Sequence, residues 1–235
     1  MESISIIIPT FHFASTTHKT IKACLSQTIL PLELVIVDSS EDNSISDLMQ
    51  YIETDIPIIY RRVAQLFPGE ARNLGANISK SALLAFLDSK TIPVNNWLET
   101  NLNEMRETNA DVIFGNTQYL ADTSFQKNLL ACSFGSKPVE STPGSLISRE
   151  NFFKSGSFLE GVRTGDDMAW RDTIKNSGMT FGLPPEATLS YNELPKDFFP
   201  TLKRFFIYQL HGSRVNIQNT PKNIILSFFL IFLTI

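Results

Sequence analysis

The sequence predicts an α/β fold: a mostly parallel central sheet flanked by helices, followed by a helical tail. Three observations predict it. Short β-branched apolar runs alternate with segments of helical period, the links between them are short, and several runs end abruptly in a polar or acidic residue. At 235 residues the chain can bury one substantial core. A hydrophobic content of 43% with 19% charged residues suits a folded domain.

The elements follow in order. Residues 4–8 form a buried strand ended by Pro9, and Ile21, Cys24, Leu25, Thr28 and Ile29 share the face of a helix capped by Ser15 or Thr16. Residues 34–37 make a second strand, and Ile45, Leu48, Met49 and Ile52 a second helix. A third strand at 56–60 leads to a helix with Gly69 and Glu70 at its entry and Ala71, Leu74, Gly75 and Ile78 on one face. Residues 82–87 are strand four, Trp97, Leu98, Leu102 and Met105 mark the next helix, and 112–114 begin strand five. The second half is less regular: a loop-rich insertion at 121–143, short strands at 145–148, 179–182 and 187–191, and helices at 150–154 and 166–176, the latter closed by Gly178.

In parallel α/β sheets, ligands bind beyond the carboxyl ends of the strands. That rule singles out Pro9 and Thr10, Asp38, and Asp88, which follow three apolar runs and lie on one edge of the sheet. Asp38 opens DSSEDNS, where a capping role competes with a binding one. Asp88 opens Asp88-Ser89-Lys90 and could hold a ribose hydroxyl or a divalent metal. The chain has neither GxGxxG nor GxxxxGK[ST], which removes the main support for a Rossmann dehydrogenase or a P-loop NTPase, and SIIIPTFHFAS is not the Gly-rich basic loop of a nucleotidyltransferase. The net charge of −4 argues against nucleic acid as a partner.

The segments SIIIPT, LELVIVDSS, GEARNLGANISKSALLAFLDSKTIP and GSFLEGVRTGDDMAWRDTIKNSG follow, in order, the pattern of family 2 glycosyltransferases with the GT-A fold. The resemblance covers roughly residues 3–190. It implies an inverting transfer of a sugar from a nucleotide-sugar donor to a hydroxyl acceptor, which is a saccharide or a lipid-linked one. By resemblance Pro9, Thr10, Asp38, Arg72 and Asp88 hold the donor, with Lys90 a further candidate beside them, and Asp167, paired with Asp166, is the base that takes the acceptor proton. The acidic pair could equally serve as a charge complement to a helix N-terminus.

The chain departs from its family at one position. The pattern expects Asp-Ser-Asp, whose last acid would hold Mg²⁺ or Mn²⁺ against the diphosphate, and Lys90 stands there instead. Three outcomes are open: Lys90 pairs with the diphosphate, a metal binds weakly through Asp88 and the phosphates, or the chain is an impaired sugar-nucleotide-binding or scaffolding protein.

The expected organisation is a catalytic domain over 1–195, with a nucleotide part about 1–93 and an acceptor part about 94–195, and a tail over 196–235. The tail is basic up to Lys222, with Lys196, Lys203, Arg204, Arg214 and Lys222 against Asp197. Phe198, Phe199, Leu202, Phe205, Phe206, Gln209 and Leu210 trace one helical face, suited to a membrane interface or to packing over the sheet. Residues 224–235 are almost wholly apolar but too short to span a bilayer, which takes about 20 residues. Together with the absence of a basic n-region at MESISIIIPT, this places the chain in the cytoplasm or on the cytoplasmic face of a membrane. Cys24 and Cys132 read as reduced, partly buried thiols. His12 reads as incidental, and His211 as a surface residue of the tail.

Overall fold

The computed structural model describes residues 2–212, so Arg214, Lys222 and the apolar 224–235 segment lie outside the described residues. The elements run β1 (Ile4–Thr10), α1 (Ala14–Leu25), β2 (Glu33–Asp38), α2 (Ser44–Met49), β3 (Ile58–Arg62), α3 (Pro68–Ile78), β4 (Leu83–Phe86), β5 (Thr91–Pro93) and α4 (Trp97–Thr108). Then follow β6 (Val112–Tyr119), α5 (Ser124–Ser133), β7 (Val139–Ser148), α6 (Arg149–Ser155), α7 (Asp166–Asn176), β8 (Phe181–Gly182), β9 (Leu189–Tyr191) and α8 (Phe198–Gly212).

One sheet carries the fold, in the order β3-β2-β1-β4-β7-β6-β9-β5, with β8 pairing β6. The β3-β2-β1-β4 block is parallel. β7 runs antiparallel to both β4 and β6, and β5 antiparallel to β9. Successive side chains of β1 serve opposite faces: Ile4, Ile6 and Ile8 join Ile21, Leu34, Ile36, Trp97 and Leu98 on one, and Ile7 joins Val35, Ala71, Phe86, Phe152 and Trp170 on the other. Both faces are therefore covered, which is why these strands read as unbroken apolar runs.

Several expectations need correction. The loop-rich stretch at 121–143 contains α5 and the first half of β7. α5 buries only Gln126, so it has no apolar stripe to reveal it. Its legible signal was the Thr123-x-x-Gln126 capping box, in which each residue bonds the other's backbone N–H. β7 was hidden by Pro143, which argues against a central strand. It is tolerated because the β6–β7 register shifts between Ile113 and Gly115, and a Cβ at Gly115 would collide with the Pro143 carbonyl.

Neither Ser15 nor Thr16 caps α1. The helix starts at Ala14 behind Phe13 (φ 59°), and His12 is also left-handed at 57°, so a tight reversal, not a side-chain cap, sets the entry. Pro9 lies within β1 instead of ending it. Cys24 is buried, and Cys132 is exposed.

Candidate active site

The acids are gathered by Arg72 on α3. Its Nη2 donates to Asp88 Oδ1 and its Nη1 to Asp166 Oδ2, each at 2.5 Å. One guanidinium thus ties the end of β4 to the start of α7. Arg72 and Asp166 are each 3% exposed. The Phe158 ring lies 5.2 Å from the Arg72 guanidinium carbon and packs among Phe86, Phe152 and Trp170. Burial works against the Arg72 charge, but Asp88, Asp166 and Asp167 outweigh it and push its pKa up. Burial pushes the Asp166 carboxyl up to about 6; Arg72 opposes this, while Asp167 and Asp88 add to it.

The approach of α3 to α7 depends on Gly69, where a Cβ would run into the Leu159 carbonyl and crowd Asp166. Asn73, adjacent to Arg72, clasps the loop before α7. Its amide accepts from Phe158 N (2.9 Å) and donates to Phe158 O (2.9 Å) and Glu160 Oε1 (3.0 Å). Asp167 sits in the first turn of α7, its carbonyl accepting a 2.9 Å bond from Thr142 Oγ1 on β7.

Asp38 stands apart from this cluster. It is wholly buried, accepting from the Tyr60 hydroxyl at 2.7 Å and from Ser40 N at 2.9 Å. β2 and β4 are separated by β1, so the two strand ends lie about 10 Å apart across the same edge. The turn-forming role is therefore real, and Tyr60 is a partner that the sequence did not single out. A cleft of about 640 Å³ opens there, lined by Ser39, Ser40, Glu41, Arg62, Val63, Ala64 and Gln65. Arg62 is braced against its rim by Asn43 Oδ1 and the Glu41 and Asp42 carbonyls. Thr10 shares a 3.1 Å hydroxyl contact with Thr17, and Pro9 pairs with Val37, so both shape the backbone at this edge.

Lys90 follows Asp88 by two residues, and its ammonium lies 3.4 Å from the centre of the Phe13 ring. Burial and the charge of Arg204 hold its pKa below the ordinary lysine range, against the pull of Glu193 and Asp88. The donor set does not fit the family's divalent metal. An ammonium occupies the ligand position, Asp88 Oδ1 is taken by Arg72, and among the described residues no group of three or more His, Cys, Asp or Glu could hold a metal ion. No step below is routed through one.

Sequence reasoning missed Tyr60, Asn73 in its clasping role, and Arg204. His12 is paired with Asp42 at 2.9 Å, and His211 brings the end of α8 against Phe67, ring centres 6.4 Å apart.

A mixed α/β sheet with acids at the ends of its parallel strands, joined by a buried arginine to an acidic helix start, has the architecture of the GT-A class. Residues 5–163 match the family model Glycosyl transferase family 2, and the chain belongs to that family. It is 28% identical over 193 residues to an uncharacterized glycosyltransferase of Rickettsia bellii, covering 78% of this chain and 28% of that one. The glycosyltransferase AglE of Haloferax volcanii is 24% identical over 188 residues, 74% of this chain and 62% of the relative. An Escherichia coli relative, the UDP-Glc:alpha-D-GlcNAc-diphosphoundecaprenol beta-1,3-glucosyltransferase WfgD, is 28% identical over 129 residues, 54% of this chain and 51% of its own. The chain thus spans less than a third of the Rickettsia relative and about half to three fifths of the others. Among solved structures, Staphylococcus aureus TarS 1-349 in complex with UDP-GlcNAc superposes with a TM-score of 0.63 at 14% identity, covering 94% of this chain and 69% of that one.

Proposed function

We propose that this chain transfers a sugar from a nucleoside-diphosphate donor to a hydroxyl acceptor, with inversion, in the assembly of a cell-surface polysaccharide or glycolipid. The observation that carries this reading is the Asp88–Arg72–Asp166 bridge, which holds the donor edge and the helix bearing the base in one rigid unit. Residues 1–93 supply the donor half and 94–195 the acceptor half. The cleft beside Asp38 takes the nucleoside, Asp88 the ribose, and Lys90 the diphosphate. Asp167 removes the acceptor proton as the hydroxyl attacks the anomeric carbon and the nucleoside diphosphate leaves. The relative WfgD, named for a UDP-glucose donor and a lipid-diphosphate acceptor, supports a UDP-sugar and a lipid-linked acceptor as the first pair to try. A panel of UDP-, GDP- and dTDP-sugars assayed for nucleoside diphosphate release tests the reading. Binding without release across the panel would leave the sugar-nucleotide-binding or scaffolding role.

Lys90 takes the place of a metal in this reading. Activity should therefore survive EDTA, and Lys90→Asp should become dependent on Mg²⁺ or Mn²⁺. Complete loss of wild-type activity in EDTA would count against it.

A membrane surface is the proposed setting. α8 docks through its polar side, with Thr201 buried and Arg204 bonded to Tyr191, and leaves Phe198, Phe199 and Phe206 61%, 78% and 67% exposed beside Lys203. Among the described residues no helix is long and apolar enough to cross a membrane, so the contact would be interfacial. The protein should float with anionic lipid vesicles, and Phe199→Ser with Phe206→Ser should abolish flotation. Full recovery in the soluble fraction with such vesicles would overturn the idea.

A further inference from the structure

At the donor edge Lys90 feels the charge of Arg204, and it feels Glu193 and Asp88 in the opposite sense without pairing with either. Lys90 immediately precedes Thr91, which pairs with Tyr191 across the β5–β9 ladder. The Tyr191 hydroxyl accepts from Arg204 Nη2 at 2.9 Å, so α8 anchors Arg204 on the strand that pairs with β5, which begins next to Lys90. The other bonds of Arg204 also go to uncharged oxygens, from Nε to the Tyr208 hydroxyl at 2.6 Å and from Nη1 to the Glu193 carbonyl at 3.4 Å. Three of its five N–H groups are thereby used, and two remain for a ligand. Among the described residues neither Arg204 nor Lys90 has a carboxylate within ion-pair distance, although both lie in partly desolvated positions. Asp88 is the nearest acid in sequence, and its Oδ1 is committed to Arg72.

Burial first and the field of Arg204 second lower the basicity of Lys90, and the pull of Glu193 and Asp88 does not restore it. An arrangement of this kind is relieved by an anion that bridges both groups. A planar guanidinium with free N–H pairs and a point-charge ammonium together match adjacent phosphates. Phe13, in its left-handed turn, holds the ammonium over its ring, 3.4 Å from the ring centre.

We propose that Arg204, delivered by the C-terminal helix α8, forms with Lys90 a two-cation clamp for the donor's diphosphate, in the position where a divalent metal would otherwise be needed. The clamp rests on the reading of the chain as a nucleotide-sugar transferase. It makes α8 part of the donor site, so its Arg204 and the donor stabilise one another.

The test is calorimetric titration of the full chain with UDP and with uridine, both in EDTA, repeated with GDP and guanosine. Wild type should bind the diphosphate much more tightly than the nucleoside. Arg204→Gln and Lys90→Gln should each weaken diphosphate binding by roughly ten- to hundredfold while leaving nucleoside affinity unchanged. Arg204→Lys, which keeps the charge, should lose less than Arg204→Gln. Tyr191→Phe removes a bond that holds α8 without removing a charge, and should weaken diphosphate binding less than Arg204→Gln. Three results would overturn the clamp: equal weakening of nucleoside and diphosphate by Arg204→Gln, an effect of Tyr191→Phe as large as that of Arg204→Gln, or wild-type diphosphate binding that needs added Mg²⁺ or Mn²⁺. If neither nucleoside nor diphosphate binds at all, the transferase reading falls and the clamp with it. Nucleoside binding with no preference for the diphosphate removes the clamp alone.

Discussion

Asp167→Asn should bind donor as wild type does, keep its melting temperature, and lose about 10²- to 10⁴-fold in turnover. The substitution keeps the shape of the side chain and the main-chain bond from Thr142, and removes only the group that accepts the proton. We propose Asp167 rather than Asp166 as the base because Asp166 is 3% exposed and held by Arg72. Such a carboxylate cannot turn toward an acceptor without abandoning a buried guanidinium, which costs several kcal/mol. Steady-state nucleoside diphosphate release, read beside donor affinity, separates the two roles. Full turnover in Asp167→Asn, or a loss traced wholly to donor binding, would move the base elsewhere.

Arg72→Met should be the most damaging single change to stability. It leaves Asp88 and the buried Asp166 without their shared cation, at a cost of about 3–5 kcal/mol, or roughly 10 °C in Tm for a domain of this size. Lysine should not rescue it, because its single nitrogen cannot occupy both positions from which Nη2 and Nη1 serve Asp88 and Asp166. Activity should fall with stability, since the bridge sets the distance between donor and base. The loss should also depend on pH. In the wild type Asp166 titrates at about 6, above the roughly 3.9 of an unfolded aspartate. The folded state therefore holds this proton more tightly than the unfolded one, and this group's contribution to stability declines as pH rises from about 4 to about 6, then levels off. Removing Arg72 takes away the interaction that opposes the rise. Arg72→Met should thus be least impaired near pH 5 and most impaired at pH 8, as thermal melts across that range would show. A Tm loss that is constant from pH 5 to 8 would mean that Asp166 is not the titrating group.

The acidic pair shows how much was legible. Asp166 and Asp167 stood out in the sequence, and α7 spans the expected 166–176, because Gly165, Gly178 and the first-turn acids mark its ends locally. Local marks also revealed α3, with Gly69 and Glu70 at its start. The sequence named Asp167 as the base only through the family resemblance; that Asp166 is the acid α3 covers was not legible, since it depends on how α3 packs on α7. The first half of the reversed strand β7 escaped notice for a related reason: its pairing with β6 is set by the fold rather than by its own pattern.

The sequence by itself determined the α/β class, the family and the acids at the strand ends, because alternation of period and short ordered motifs are properties of neighbouring residues. It also determined the exchange of an acid for Lys90. Only the tertiary structure decided what surrounds that lysine. Arg204 is anchored on a Tyr191 hydroxyl of β9, the strand paired with β5 beside Lys90, and Arg72 joins Asp88 to Asp166, by contacts between segments far apart in the chain. Such contacts are set by how the helices pack on the sheet, and packing leaves no local periodicity in the sequence to read.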